Sequence, residues 1–375
     1  MTKRILLTGG GTGGHITPLL AVADEIKKTN FADLEVFYVG PKSRWFQDFE
    51  SRDIRPYRIA LSKLRRYFSL LNLIDVPKFF FSLIQALFRL YVLMPDAVFS
   101  KGGPGAFAVV LAARFYMIPI VIHDSDSVPG LTTRLSAKFA KRIGIAFESA
   151  AGYFDSKKIF LSGNPIRAEL AEGGQAAKSE LGFETNEPLI FVWGGSQGAA
   201  RINRFIFENL ELFLRKYQIF HQVGENNLEE TQAVVGEILK GFPEENQRRY
   251  KPIPFLDVRA LKTALGAADL VLARASASPI FEIAAFGKPS ILIPLEESAG
   301  DHQRVNAYEY SKTGAAIVIE EANLTPNLVY SQIENILEDK NKYEAMAVAA
   351  KKFSRPEAAK IIAGEILKLI GLNKQ

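Results

Sequence analysis

The chain has 375 residues, 48% hydrophobic and 23% charged, which excludes a disordered polymer and exceeds what one ordinary core serves, so two domains are expected. The absence of cysteine excludes disulfides and thiolate chemistry and fits a reducing compartment. The net charge of +5 is mild with its excess in the first half, and the apolar run Ile5, Leu6 and Leu7 is too short for a signal-peptide core, so a cytoplasmic chain is expected.

Residues 9–15 read GGGTGGH, directly after an apolar strand at 4–8 and before a helical pattern over 17–28 with Pro18 near its start. Such a run brings bare backbone N–H groups to a helix N-terminus, where unpaired first-turn amides and the helix dipole favour a phosphate. Gly9, Gly11 and Gly14 match the dinucleotide pattern G-x-G-x-x-G, but the next strand, 34–39, runs into Gly40 and Pro41 instead of the acidic residue that holds a ribose. A triphosphate loop needs Lys and then Ser or Thr after its last glycine, where this chain has His15 and Ile16. What remains is a phosphate-facing loop with one titratable side chain, an imidazole suited to proton transfer near neutral pH. A plain glycine turn is the bland alternative.

After a short strand at 57–60, the stretch 61–94 changes character. Lys63, Arg65 and Arg66 are interleaved with apolar and aromatic residues. Asp75 and Pro77 then open a helix whose polar residues, Lys78, Ser82, Gln85 and Arg89, form one narrow stripe. The run 79–94 reaches only ~24 Å, short of a hydrocarbon core of ~30 Å, and it carries Arg89, so it is not expected to span a membrane. Two readings stand. One is a helix buried in an α/β core; in the other, one apolar face packs inward while the opposite face, with the basic residues before it, docks on an anionic membrane. The aromatic content favours docking.

Strands at 97–100, 118–123, 142–145 and 158–162 alternate with helices and complete a first parallel sheet. Gly102, Gly103, Pro104 and Gly105 follow the first of these. His123, Asp124, Ser125 and Asp126 close the second; the two carboxylates could hold a divalent metal, though Asp also caps turns. GNPIR at 163–167 and the polar stretch to 187 read as a linker.

The second half repeats the plan, with an apolar strand at 189–193, GGSQG at 194–198 and a helix from about 199. The run also fits G-x-S-x-G, the nucleophile elbow of α/β-hydrolases. An elbow sits mid-sheet, however, whereas this loop follows the first strand of its domain, and only His221 and His302 remain for a triad. A second phosphate loop is the better reading. Strands follow at 218–223, 250–255, 270–273, 290–294 and 315–319. Ser278 is expected to cap, and Pro279 to open, a helix with Glu282 in its first turn, either as a dipole-favoured carboxylate or as an acceptor for hydroxyls. Asp301, His302 and Gln303 open another helix, and Arg355 with Pro356 lets the last helix, to about 369, change direction.

Two α/β halves of this kind, with ligand sites at the carboxyl ends of their strands, describe a GT-B architecture: two Rossmann-like doubly wound parallel-sheet domains facing across a cleft. Along nearly its whole length the chain resembles glycosyltransferase family 28, the MurG-type UDP-N-acetylglucosamine:lipid I N-acetylglucosaminyltransferases. The resemblance lies in GGGTGGH with Pro18, HDSDSVPG at 123–130, GNPIR at 163–167, GGSQGA with Asn203, Phe255-Leu256-Asp257, Glu282-Ile283-Ala284-Ala285, and Asp301-His302-Gln303 with Asn306 and Ala307.

The resemblance implies inverting transfer of GlcNAc from UDP-GlcNAc to the 4-hydroxyl of undecaprenyl-pyrophosphoryl-MurNAc-pentapeptide (lipid I), forming lipid II for peptidoglycan and so serving cell shape and division. It implies an acceptor- and membrane-binding domain at 1–166, a UDP-GlcNAc-binding domain at 167–355, and a last helix, 356–375, that returns to the first. By the same resemblance Glu282 holds the donor ribose, Ser196 and Arg167 the diphosphate, and Gln303 the sugar. Leu256 and the backbone of Ala277, Ser278, Pro279, Ile280 and Phe281 hold the uracil, while Thr12, Gly13 and Gly14 line the sugar and acceptor side. Asp126, Gln197, Gly198 and Asn203 complete the substrate-binding set. His15 is the expected general base, with Asp126 as the rival base and phosphate ligation as the other role for His15. Lys63, Arg65, Arg66, Phe79, Phe80, Leu83 and Leu87 are the expected contacts with the cytoplasmic face of the plasma membrane. No metal, cofactor or nucleic acid is expected, because helix N-termini and Arg167 can stabilise the departing UDP.

Two departures bear on this. Asp126 stands where the family often has Asn, replacing a donor–acceptor amide by an acceptor-only carboxylate. Pro104, Gly105 and Ala106 stand where the second glycine loop usually carries an aromatic residue and then Val-Ser-x-Pro. Another UDP-sugar-dependent glycolipid transferase of the same superfamily, and a catalytically silent UDP-sugar-binding module, are the competing readings.

Overall fold

A computed structural model describes residues 2–29, 31, 33–61, 72–195 and 198–372, the first three residues of the fourth segment by their backbone alone. Lys63, Arg65, Arg66, Ser196 and Gln197 lie outside the described residues. The chain forms two compact units, Met1–Arg167 with Arg355–Gln375, and Ala168–Ser354.

In the first unit β1 (Lys3–Thr8), β2 (Leu34–Pro41), β3 (Arg55–Ile59), β4 (Ala97–Ser100), β5 (Ile120–Asp124), β6 (Arg142–Ile145) and β7 (Ile159–Leu161) make one parallel sheet in the order β3-β2-β1-β4-β5-β6-β7. Leu6 in β1 stands opposite Phe37 and Val98. Strand order reverses between β1 and β4, and at such a switch point the loops at the strands' carboxyl ends part and leave room for a ligand. In the second unit β8 (Leu189–Trp193), β9 (Gln218–Gln222), β10 (Tyr250–Ile253), β11 (Leu270–Ala273), β12 (Ser290–Leu292) and β13 (Ala316–Val318) repeat the design in the order β10-β9-β8-β11-β12-β13. Its switch point lies between β8 and β11.

The inner parallel strands are covered on both faces, which is why β4, β8 and β11 read as apolar runs, unlike the edge strands β3 and β10. Ile5 and Leu7 share one core with Ile16, Leu19 and Val22 of the helix Gly13–Lys27 and with Ile362 and Ile366 of the last helix, Ala358–Leu369. Each such side chain contributes about 1.5–3 kcal/mol of burial. Glu365 of that helix also pairs with Arg142 at 2.6 Å. Leu6, Val98 and Ile122 face the other way, onto the helices Asn72–Leu93 and Ala106–Phe115.

Two helix starts differ from expectation. The first helix begins at Gly13 rather than 17, which puts His15 in its first turn and Pro18 in its second. Gly13 and Gly14 carry no side chain to oppose winding, and first-turn amides have no helical acceptor in any case. The helix Ala277–Phe286 has Ser276, not Ser278, as its extended N-cap, so Pro279 is its third residue and Glu282 falls in the second turn. Proline is tolerated at that position because its missing N–H would have had no partner.

Candidate active site

In the first unit three loops meet above the switch point. Gly10 N–H donates to the Gly102 carbonyl at 2.8 Å and Lys101 N–H to that of Thr8 at 2.9 Å, which draws the loops after β1 and β4 together. Gly102, Gly103 and Gly105 have φ of +74°, +84° and +88°. A Cβ on Gly103 would lie 2.9 Å from both Gly10 Cα and His15 Nε2, so only glycine lets the loop close on the imidazole. His15 Nδ1 lies 2.8 Å from Thr12 Oγ1. Burial, aided by the Lys101 ammonium and opposed by Asp126, pushes the imidazole pKa down to about 4, so the ring is neutral at pH 7.

Lys101 is the residue that the sequence did not single out. It is 4% exposed, and its Nζ donates to Ser125 Oγ at 2.6 Å, which in turn donates to Asn164 Oδ1 at 2.6 Å. Asp124, buried behind it, is pushed above the usual carboxylate range by burial and by Asp126. Its Oδ1 accepts the Asp126 N–H at 3.0 Å. The cation facing this carboxylate pair, the one considered above for a metal, is therefore the chain's own Lys101. His123 Nε2 lies 3.0 Å from the Gly163 carbonyl oxygen, and burial holds its pKa well below the ordinary value. Arg167, partly exposed, is the last residue of this stretch of the unit.

In the second unit Gly198 has φ +75°, and a Cβ there would overlap the Val223 carbonyl. Asn203 braces this loop. Its Nδ2 donates to Val223 O at 2.9 Å, while its Oδ1 lies 3.1 Å from His221 Nε2 and His221 Nδ1 lies 2.9 Å from the Tyr250 hydroxyl. Burial pushes His221 down to about 3. The neutral ring thus donates through Nε2 and accepts at Nδ1, and every member of the chain is satisfied. One N–H and the oxygen of the Asn203 amide are thus engaged inside the fold. His221 is equally committed, so the hydrolase triad loses it.

Glu282 is 2% exposed, in a helix whose Ile280 and Phe281 side chains belong to the core, as does Leu256. Phe281 packs on Phe353 with ring centroids 5.0 Å apart. Ligand contacts from Ile280 and Phe281 therefore come from their backbone, with Ser278 and Pro279 partly open. Gln303 Oε1 accepts the Leu295 N–H at 3.1 Å. A second residue missed by the sequence reading is Arg274, directly after β11, paired with Glu321 at 2.5 Å and donating to the Ile293 carbonyl at 3.2 Å.

The helix Asn72–Leu93 has 22 residues, ~33 Å, so the length argument against a membrane span falls; by length and composition Asp75–Leu93 would suffice. Packing decides against it. Ser82, Ala86, Leu90 and Leu93 are buried, Gln85 Oε1 accepts the Ala60 N–H at 2.7 Å, and the Arg89 guanidinium lies 5.1 Å from the Tyr57 ring centroid. Phe79, Leu83 and Leu87 pack against the same core, Phe79 on Phe107 with centroids 6.0 Å apart. These three are half-buried, at the edge between the packed side of the helix and its open face. The open face carries Val76, Phe80, Phe81, Ile84, Phe88, Tyr91 and Val92, and Phe115 and Met117 are exposed at the end of that neighbour.

Sequence profiles of the glycosyltransferase family 28 N-terminal and C-terminal domains match residues 5–145 and 189–362. The chain is 35% identical over 364 residues to the UDP-N-acetylglucosamine--N-acetylmuramyl-(pentapeptide) pyrophosphoryl-undecaprenol N-acetylglucosamine transferase 2 of Bacillus thuringiensis subsp. konkukian, covering 96% of this chain and 98% of the relative. The chain belongs to glycosyltransferase family 28. A family 28 transferase of the same printed activity from Clostridium botulinum is 35% identical over 345 residues, 91% of this chain and 93% of its own length. The crystal structure of Acinetobacter baumannii MurG superposes with a TM-score of 0.73 at 26% identity, covering 98% of this chain and 99% of the other. The family 28 chain described here is thus a glycosyltransferase with two parallel-sheet domains of the GT-B class.

Proposed function

We propose that the chain transfers GlcNAc from UDP-GlcNAc to the 4-hydroxyl of MurNAc-(pentapeptide)-pyrophosphoryl-undecaprenol, forming lipid II with inversion. The observation that carries this reading is the near-full-length likeness to two transferases of that printed activity. It is supported by the repeated arrangement of a glycine loop and helix N-terminus at both switch points. The acceptor binds on the first unit and the donor on the second. His15 Nε2 takes the hydroxyl proton as the 4-oxygen bonds to the donor C1, the C1–O bond to the diphosphate breaks, and UDP leaves with the electron pair. Thr12, Gly13, Gly14 and Asp126 line the acceptor side. Glu282 holds the ribose, Gln303 the sugar, and Arg167 with the Gly198 loop the diphosphate.

The exposed apolar face of the helix Asn72–Leu93 rests on the cytoplasmic leaflet, with Phe81, Ile84, Phe88 and Tyr91 joining Phe80 and the half-buried Phe79, Leu83 and Leu87 at its edge. UDP release with lipid I, compared with release with diacylglycerol, tests the reading. Release with lipid I alone supports it, whereas release with diacylglycerol alone transfers the chain to another glycolipid pathway.

A further inference from the structure

We propose that Lys101 is a positioning residue of the transfer reaction: its buried ammonium ion, acting through Ser125 and Asn164, ties the loop that carries Asp126 to the loops that enclose His15. The inference rests on the reaction proposed above. A lysine as enclosed as this one is costly to a fold unless its charge is answered. It is answered here by the Asp124 and Asp126 carboxylates and by the 2.6 Å bonds from Lys101 Nζ to Ser125 Oγ and from Ser125 Oγ to Asn164 Oδ1. The backbone of the same turn reaches the other way, Lys101 N–H to the Thr8 carbonyl and Gly10 N–H to that of Gly102. One side chain and its turn thereby join the segments after β1, β4, β5 and β7.

The charged groups around the imidazole come from separate elements. Lys101 follows β4, Asp126 follows β5, and His15 sits at the start of the helix Gly13–Lys27. Lys101 itself faces His15, His123, Asp124 and Asp126, and Thr133 of the helix Leu131–Ala137 donates to Asp124. The ammonium opposes protonation of His15, and Asp126 favours it. Taking the positive charge away therefore raises the His15 pKa from about 4 toward the ordinary imidazole value, so a base that must be unprotonated is lost at a higher pH. A lysine that served folding alone would lower stability when replaced and leave the acceptor kcat/KM of the folded enzyme where it was.

The test compares the full-length wild type with Lys101→Met, Lys101→Arg and Ser125→Ala. UDP release is followed from pH 4 to 8 with a polyprenyl-pyrophosphoryl-MurNAc-pentapeptide, and the His15 ring is titrated by NMR. Lys101→Met is expected to lower kcat/KM for the acceptor by roughly 10- to 100-fold and to move its acidic limb to higher pH, with UDP-GlcNAc affinity unchanged. Lys101→Arg recovers most of the rate and returns the limb, and Ser125→Ala loses rate without moving it. An unmoved limb in Lys101→Met, or a wild-type rate in Ser125→Ala, overturns the inference. Should Lys101→Met not fold, Lys101→Gln takes its place. A wild type that releases no UDP with this acceptor contradicts the parent reaction instead, and the NMR titration of His15 still decides the electrostatic link.

Discussion

Thr12 Oγ1 stands 2.8 Å from His15 Nδ1, and this contact orients the imidazole with Nε2 toward Gly103. Base catalysis at Nε2 requires the tautomer in which Nδ1–H donates to the Thr12 hydroxyl oxygen and Nε2, on the side that faces Gly103, carries no proton. His15→Ala should lower kcat by ~10²- to 10⁴-fold with a modest change in KM. Thr12→Val keeps the shape but removes the acceptor, and a loss of roughly tenfold in kcat is expected from the freed tautomer. Steady-state UDP release measures both, and a Thr12→Val enzyme at the wild-type rate would show that the ring is oriented by something else.

The pH dependence follows from the half-buried, desolvated ring. A depressed pKa keeps His15 neutral until the pH falls through about 4, so kcat/KM should be flat between pH 8 and about 5 and drop below that as the base protonates. The acceptor pyrophosphate brings negative charge beside the ring and favours the imidazolium, so the limb of kcat, which reports the bound complex, should lie at higher pH than the limb of kcat/KM. His15→Ala should lack both limbs. If the variant keeps them, Asp126 or another group is the base.

Glu282 is an enclosed carboxylate in the second turn of its helix, where the helix dipole gives it little reason to be. Accepting two ribose hydroxyls is worth about 1.5–3 kcal/mol, so Glu282→Ala should raise the donor KM by roughly 10- to 150-fold. Glu282→Gln, measured beside it by thermal unfolding and kinetics, separates binding from packing. A variant with a lowered Tm and an unchanged donor KM would place Glu282 in the core alone.

Replacing Phe81, Ile84, Phe88 and Tyr91 by Ser should release the protein from anionic vesicles in a flotation assay and leave UDP-GlcNAc affinity intact. Phe79→Ala or Leu83→Ala should instead cost about 1–3 kcal/mol of stability, because those side chains pack on the core. Vesicle binding retained by the fourfold variant would mean that this face meets something other than lipid.

The inner strands were legible because strands covered on both faces are apolar, whereas the edge strands β3 and β10, RPYRI and YKPI, carry charged residues and proline and are half open. The helix starts at Gly13 and Ala277 were less legible, since glycine and proline argue against helix locally while the tertiary fold leaves them in first turns where neither objection applies. The polar stripe Ser82, Gln85 and Arg89 gave the right helix and the wrong face: its partners are Ala60 and Tyr57, and nothing in the helix itself points to them. Asn203 was found as a motif residue, but its engagement with His221 and Tyr250 depends on strands that pair only in the fold. Lys101 left no pattern, because a lone lysine at a strand end reads as solvated until three loops close over it. His15 reads in the sequence as an imidazole suited to proton transfer near neutral pH, whereas in the fold burial and Lys101 hold its pKa down.

The most direct measurement is the product itself. Purified protein incubated with radiolabelled UDP-GlcNAc and a polyprenyl-pyrophosphoryl-MurNAc-pentapeptide should release one UDP for each lipid product, and NMR of that product should show a β-linked GlcNAc on the muramoyl 4-oxygen. An α linkage, a sugar attached elsewhere, or UDP release that does not depend on the muramoyl acceptor would contradict the account.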